Sequence, residues 1–401
     1  MNFPPEPTGN APYTGALARG LAERGFPVTA LTAHPHYPEW KIRDGYGQWR
    51  RRDIRDGVRV VRLRHFVPKK LTSLRRLLSE LSFGVRAVCE HWAADVVLFV
   101  SPALFATAVA TIKRRLLRRH VSSIVWVQDI YSLGITETGT GSASVARRIG
   151  TVERYALGSA DAVVVIHDRF RTYLIDHLNV DSKKIVVIRN WTHLKRAPVI
   201  DRARVRGEMG WADDQVVVLH AGNMGVKQGL ENVIEAAKYA DKKRSNVRFV
   251  LMGDGNQRTH LEELARGVER IEFLPPLSEA RFQEALGAAD ILLVNEQANL
   301  SEMSVPSKLT SYFNAAKPVL ASTDAASVTA EELSRSGGGI RVDPDQPAAL
   351  HDAAQRLGDD EEERYRLGAR GLEFRNSALD ESTAFDQYAE LVRSLAAKRG
   401  R

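Results

Sequence analysis

Short apolar runs alternate with longer helical patterns over most of this chain. In the first half the runs Val28–Leu31, Val58–Leu63, Val96–Val100, Ile124–Gln128, Ala162–Ile166 and Ile185–Ile188 read as strands. Several are almost wholly apolar, which suits strands covered on both faces of a parallel sheet. Helical spacing runs through Tyr13–Arg24, Leu74–Trp92 and Leu104–Arg119. The pattern fades over Trp191–Asp213, read as a connection, and then restarts. Strands are expected at Val216–His220, Val247–Met252, Ile271–Leu274, Ile291–Val294 and Val319–Ala321. Helices are expected at Gly229–Ala240, Arg258–Ala265, Glu279–Ala285 and Lys308–Ala315, with a last one near Leu379–Lys398. Repeated β/α alternation predicts an α/β fold with two Rossmann-like, doubly wound parallel-sheet domains. The boundaries expected are 1–195, 196–378 and a closing segment 379–401 that returns to the first domain.

The opening is irregular. A doubly wound domain should begin with an apolar strand, yet the loop-like Pro4-Pro5-Glu6-Pro7-Thr8-Gly9-Asn10 comes almost at once. The expectation is that the first strand lies upstream of Met1.

At 401 residues, two cores are the default. The single cysteine, Cys89, excludes a disulfide framework and suits a reducing compartment; its apolar helical setting predicts a core position. No run approaches a membrane span and the N-terminus has no signal-peptide pattern, so a cytoplasmic protein is expected. Net charge is +8, with the excess in Arg50–Arg52, Lys69-Lys70, Arg75-Arg76 and Lys113–Arg119. Such a patch suits phosphorylated substrate or anionic lipid; a solvated surface is the alternative. Nucleic acid is not an expected partner. Leu71, Leu74, Leu77, Leu78 and Leu81 recur at helical spacing among the arginines, either as a membrane-surface helix or as a helix packed on the sheet.

Two segments carry candidate anion chemistry. In the first, Val216–His220 feeds Gly222-Asn223-Met224-Gly225-Val226-Lys227-Gln228-Gly229 and then a helix. Glycines let backbone approach an anion, a helix start favours negative charge, and Lys227 adds a cation. The alternative is a plain strand-to-helix turn with a solvent lysine. Gly253-Asp254-Gly255 follows the next strand and is too short for a dinucleotide fingerprint. The second segment, Glu302-Met303-Ser304-Val305-Pro306-Ser307-Lys308, leads into a helix that Ser307 can cap. Two such sites after strands of one sheet point to a diphosphate-bearing ligand at the carboxyl ends of the strands. Metal is not expected: His34 and His36 lack helical ligand spacing and no cysteine cluster exists.

These motifs carry a resemblance. The chain resembles the family-four glycosyltransferases of GT-B fold, in particular the bacterial colanic-acid and O-antigen type described as fucosyl- or N-acetylfucosaminyltransferases. The likeness runs through Pro4–Gly9, Thr32–Trp40, Val127-Gln128-Asp129, Arg189-Asn190-Trp191, Gly222–Leu230 and Val305–Lys308. It implies two domains facing a cleft and retaining transfer from a UDP- or GDP-linked sugar, with no obligatory metal and no cofactor. The acceptor it implies is a glycan or polyprenyl-diphosphate-linked, in cell-surface polysaccharide synthesis, with peripheral placement on the inner membrane face.

The donor would meet Gly222, Asn223, Met224, Gly225, Gln228, Gly253, Gly255, Leu274, Pro275, Glu302, Ser304, Val305, Pro306, Ser307 and Lys308. Asn223 stands where relatives often carry Arg, and Lys308 where they carry the second Glu of an acidic pair, with Glu302 a loose match for the first. Asp129 and Lys227 are the catalytic candidates, Asp129 alternatively a loop carboxylate. Glu6, Thr8, Gly9, His167 and Asn190 are acceptor or cleft candidates, His167 alternatively a solvent-loop histidine. A sugar-nucleotide epimerase on the same architecture, and a non-catalytic nucleotide-sugar binder, are the competing readings.

Overall fold

The computed structural model describes residues 1–6, 10–37, 39–69, 72–118, 120–132, 143–192, 197–298 and 307–398. For Ser73, residues 143–146 and Ser307 it describes the backbone only. Two compact units emerge, one from Met1–Trp191 with Glu381–Arg401, the other from Thr192–Asp380.

The strands of the first unit are β1 (Thr29–Ala33), β2 (Arg50–Arg55), β3 (Val58–Leu63), β4 (Val96–Val100), β5 (Ser122–Val127), β6 (Ala162–Val165) and β7 (Ile185–Val187). Its helices are α1 (Ala11–Glu23), α2 (Ser73–Cys89), α3 (Leu104–Leu117), α4 (Ala143–Gly158) and α5 (Asp168–Asp176). The second unit holds α6 (Arg202–Met209), β8 (Val216–Ala221), α7 (Glu231–Lys243), β9 (Val247–Met252), α8 (Arg258–Leu264), β10 (Ile271–Leu274) and α9 (Glu279–Ala288). It continues through β11 (Ile291–Asn295), α10 (Ser307–Asn314), β12 (Val319–Ser322), α11 (Val328–Ser336), β13 (Gly339–Val342), α12 (Pro347–Asp359) and α13 (Glu361–Ala378). The last helix, α14 (Glu381–Ala397), returns to the first unit.

The second unit is one six-stranded sheet in the order β10-β9-β8-β11-β12-β13, every pair parallel. Strands β8, β9 and β11 are buried nearly end to end, as their apolar runs predict for a sheet covered on both faces. The connection read as irregular contains α6, whose fully buried Arg206 bonds Asp290 at 3.0 Å and the carbonyls of Ala212, Gln215 and Ala288. A helix with so polar a sequence leaves little apolar periodicity to read.

The first unit is divided. Strands β4-β5-β6-β7 form a parallel sheet, and β1-β3-β2 form a separate one in which β2 runs antiparallel to β3. Strand β2 has the polar sequence Arg-Arg-Arg-Asp-Ile-Arg, which hides it from a hydrophobic pattern. Its signal is the two-residue turn Asp56-Gly57, both with positive φ, the demand of a type I′ hairpin. The α14 helix packs Phe385 and Tyr388 around Trp191, which stacks on Trp126 at 5.8 Å.

Two expectations are corrected. Cys89 is exposed, because it is the last residue of α2 and lies off that helix's apolar face. The basic run Lys113–Arg119 is only partly a surface. Arg114 is buried against Asp161 at 3.1 Å, and Lys113 caps α2 by donating to the carbonyls of Val88 and Glu90.

Candidate functional site

In an open parallel sheet, ligands bind beyond the carboxyl ends of the strands where the chain order reverses. In the second unit that reversal falls between β8 and β11, since β8 is followed by β9 on one side and β11 returns on the other. The segments predicted to bind a diphosphate are the loops that leave these two strands.

The loops are tied together by side chains at the strand ends. Asn295 closes β11 and donates to the carbonyls of Gln228 and Gly229 at 2.8 and 2.9 Å. Asn232 of α7 donates to Asn295 Oδ1 and Ser322 Oγ at 3.0 and 3.1 Å. Gln297 N–H donates to the Lys227 carbonyl. Below them the buried Tyr312 hydroxyl accepts from Ala221 N–H at 2.9 Å and donates to the Leu293 carbonyl at 3.2 Å, bridging β8 and β11.

Lys308 precedes Tyr312 by four residues and so shares its helix face. The anchored tyrosine therefore directs the lysine toward the end of β8, where its Nζ donates to His220 Nε2 at 2.9 Å. His220 is completely buried; burial, then the Lys308 ammonium, hold its imidazole well below its ordinary range. It stays neutral and accepts from the lysine. The Lys308 side chain also covers Gly222, where an added Cβ would lie 2.9 Å from its Cε.

The glycines let two loops pack closely. Gly253 and Gly255 let the loop after β9 press against the loop after β8: a Cβ on Gly253 would lie 1.9 Å from the Gly222 carbonyl oxygen, and one on Gly255 2.4 Å from that of Met224. The N–H groups of Gly222, Met224 and Gly225 donate to Met252 O, Asp254 O and Gln228 Oε1. The turn is thus a stiff backbone seat in which these three amides are already engaged, with the cationic side chains of Lys227 and Lys308 beside it. Lys227 lies exposed on the short 3₁₀ turn Val226–Gln228, which precedes α7 where a helix start at Gly229 was expected. Asn223 donates to Gln228 at 3.2 Å, and Met224 is buried in the core below. Leu274 is half-buried and its carbonyl accepts from Gly253 N–H; Pro275 beside it is exposed. Glu302, Ser304, Val305 and Pro306 lie outside the described residues, as does the side chain of Ser307.

In the first unit, Ser101 Oγ after β4 accepts from the N–H groups of Gln128 and Asp129 after β5. Gln128 and Asn190 exchange two amide hydrogen bonds of 3.0 and 2.8 Å, tying the ends of β5 and β7. Asp129 stays open to solvent on one side and crowded by protein on the others; that crowding raises its carboxyl above the ordinary range, while Arg76 pulls it down. Glu6 is buried and accepts from the N–H groups of His36 and Tyr37 at 2.8 and 2.9 Å, so it holds the loop after β1. His167 is not a solvent-loop histidine: it is fully buried and caps α5 by accepting from Arg169 N–H. Thr8 and Gly9 lie outside the described residues.

Reading by motif passed over His220, Tyr312, Asn232 and Asn295. The available signal was a polar residue closing an otherwise apolar strand, as His220 does after Val216–Leu219 and Asn295 after Ile291–Val294.

Comparison with known proteins fits this geometry. Residues 8–191 match the model of the glycosyl transferase 4-like domain, and residues 201–374 that of the glycosyl transferases group 1. The putative colanic acid biosynthesis glycosyl transferase WcaI of Escherichia coli K12 is 30% identical over 353 residues, which is 84% of this chain and 83% of that one. The α-D-kanosaminyltransferase of Streptomyces kanamyceticus is 26% identical over 253 residues, covering 61% of this chain and 63% of its own. Among solved structures, a sucrose-phosphate synthase from Thermosynechococcus elongatus superposes with a TM-score of 0.72 at 19% identity, over 98% of this chain and 94% of that one. Anabaena HepE in complex with UDP superposes with 0.64 at 18% identity, over 79% and 84%. The chain therefore belongs to the GT-B glycosyltransferases that join a 4-like amino-terminal domain to a group 1 carboxyl-terminal domain.

Proposed function

We propose that this glycosyltransferase moves a sugar, with retention, from a UDP- or GDP-linked donor to a glycan or lipid-linked acceptor in surface-polysaccharide synthesis, without a metal. The carrying observation is Lys308, held by neutral His220 over the Gly222 turn where β8 and β11 diverge. A diphosphate seated there meets a charged lysine on a rigid backbone, with Lys227 on the adjoining turn. As the anomeric bond breaks, charge grows on the departing diphosphate, and both lysines stabilise the transition state more than the ground state. The HepE complex with UDP and the WcaI relative support the donor class and the pathway type. Asp129 and Asn190, in the first unit, are the residues we assign to the acceptor side.

Docking on an anionic membrane is part of this reading. Among the described residues no helix is long and apolar enough to cross a membrane, whereas Leu74, Leu78, Leu116 and Leu117 are exposed on α2 and α3.

Isothermal titration with UDP- and GDP-sugars, followed by turnover assays, tests the site. Lys308→Glu is expected to weaken donor binding at least ~100-fold through like-charge repulsion at the diphosphate. Lys227→Ala should lower turnover by the equivalent of about 2–4 kcal/mol of barrier, the range for a lost charge-assisted contact to a developing anion. Wild-type donor affinity in Lys308→Glu would remove the diphosphate from this switch point.

A further inference from the structure

The connection 34–49, between β1 and β2, has no helix or strand among its described residues. Loops longer than about 12–15 residues are uncommon in compact domains unless they carry function. This one is braced from within. His34 donates from Nε2 to the Gln48 carbonyl at 2.8 Å and accepts from Gly47 N–H at 3.3 Å, joining the two ends of the loop. Glu6 holds the N–H groups of His36 and Tyr37. The N–H groups of Lys41 and Arg43 close a turn on the carbonyls of His36 and Pro35.

Inside that turn, Trp40 has φ of 52°. This is the left-handed region, where glycine sits without cost and a bulky side chain is strained. The indole does not offset the strain by deep burial. It is half-buried, in edge contacts with His36 at 5.6 Å and Tyr37 at 6.4 Å. Strain kept where the packing does not require it points to contact with a ligand.

The neighbouring side chains identify the chemistry of that ligand. Tyr37, Trp40, Arg76 and Asp129 all border the cavity between the two sheets of the first unit. Trp40 follows the carboxyl end of β1, and Asp129 follows that of β5. Arg76 of α2 lies 3.6 Å from Glu80 and 5.3 Å from the centre of the Tyr131 ring, near enough to act on the Asp129 carboxyl. Two aromatic rings beside a carboxylate and a guanidinium make a poor bed for a hydrocarbon chain, since the ionised groups would lose their hydration beneath it. A pyranose suits them. Its C–H face covers an aromatic ring, and its rim of hydroxyls bonds the charged groups.

We propose that Trp40, with Tyr37 beside it, is the stacking platform for a pyranose ring of the acceptor glycan, whose hydroxyls are held by Arg76 and Asp129. Asp129 enters through its acceptor-side assignment, on which this site rests. The platform gives chemistry to the segment Thr32–Trp40, which otherwise carries only family likeness.

Fluorine NMR on the full chain, with its six tryptophans replaced by 5-fluorotryptophan, tests this. The signal absent from Trp40→Phe identifies Trp40. The probes are the methyl pyranosides of glucose, galactose, mannose, fucose and N-acetylglucosamine, added one at a time in the presence of UDP or GDP. At least one should shift the Trp40 signal and leave the other tryptophan signals in place. For that glycoside, saturation-transfer titration of Trp40→Gly should show binding at least ~10-fold weaker, from loss of one apolar ring contact. The variant should melt no lower than the wild type, because glycine suits the φ that strains tryptophan. A Trp40 signal that no glycoside moves would overturn the assignment, as would undiminished binding in Trp40→Gly. Titration with UDP- and GDP-sugars is read separately. Donor binding with a silent Trp40 signal refutes the acceptor platform alone, and a responsive Trp40 signal without donor binding refutes the donor site alone.

Discussion

The two units solve the same packing problem to different degrees. In the second, one continuous sheet buries its strands, and Arg206, the one arginine deeply buried there among the described residues, meets Asp290 and three carbonyls through its two terminal nitrogens. In the first, two sheets share a cavity, and polar groups around it are incompletely satisfied. His65, behind the lining residues His36 and Phe83, is buried, and burial, then His36 and the Met1 amine, pull its pKa down to about 3. The Glu80 carboxyl is pushed by burial up to about 7, against the opposing pull of Phe105 N–H and Arg76. Burial beside the open cavity pushes Glu80 toward its neutral form, whereas the guanidinium of Arg206 in the closed sheet is surrounded by a carboxylate and carbonyls.

The largest expected effect breaks the closed side. Asp290→Ala leaves Arg206 charged, buried and without its carboxylate, and should destabilise the second unit by about 3–5 kcal/mol, the range for removing one partner of a buried pair. Residue-resolved exchange should show the loss in β8, β11 and α6, with β5 and β6 unaffected. A change below about 1 kcal/mol would mean that the carbonyls alone satisfy the guanidinium.

How each unit reads from sequence follows from the same contrast. Strands β5, β8, β9 and β11 are legible because burial on both faces demands unbroken apolar runs. Strand β2 was not, since arginines fill it and only its Asp56-Gly57 turn betrays it. At the candidate site, Gly222, Lys227 and Lys308 stand out as glycines and cations after strands. What aims Lys308 did not, because His220 and Tyr312 act through contacts 88 and 91 residues away in sequence. Nor could spacing show that Gly253 and Gly255 face another loop's backbone before any ligand.

A smaller effect probes the open side through pH. Between about pH 4.5 and 7 the folded first unit keeps a proton on Glu80 that the unfolded chain has released, so stability falls as pH rises through that window. For His65 the sign is opposite: the unfolded chain takes up a proton that the folded one refuses, so stability falls as pH drops from about 6.5 to 3. The two windows overlap from about pH 4.5 to 6.5, where the opposite slopes offset, so the first unit should be most stable there. Glu80→Gln keeps an acceptor for Phe105 N–H and removes the alkaline arm, adding on the order of 3 kcal/mol at pH 8 and little at pH 4.5. Equal melting shifts at both pH values would show that Glu80 is not what titrates.

The smallest effect concerns the outer surfaces, where the units differ again. Of the large apolar side chains exposed among the described residues, ten belong to the first unit and four to the second. Leu74 and Leu78, at 65% and 47% exposure, lie one helical turn apart on α2 beside exposed Arg75. Leu116 and Leu117 end α3 beside Arg115, and α2 packs against α3. Apolar side chains interleaved with arginines suit the headgroup layer of an anionic bilayer, where each basic residue contributes about 1 kcal/mol. Buried Arg114 has no part in this, because it is held by Asp161. Co-sedimentation with vesicles containing anionic lipid should weaken as salt rises, and should fall about fivefold in Arg75→Gln from loss of that single contribution. Leu74→Ser with Leu78→Ser should lower it further while leaving donor affinity unchanged. Binding that ignores lipid charge, salt and both sets of substitutions would assign these leucines to contact with another protein surface.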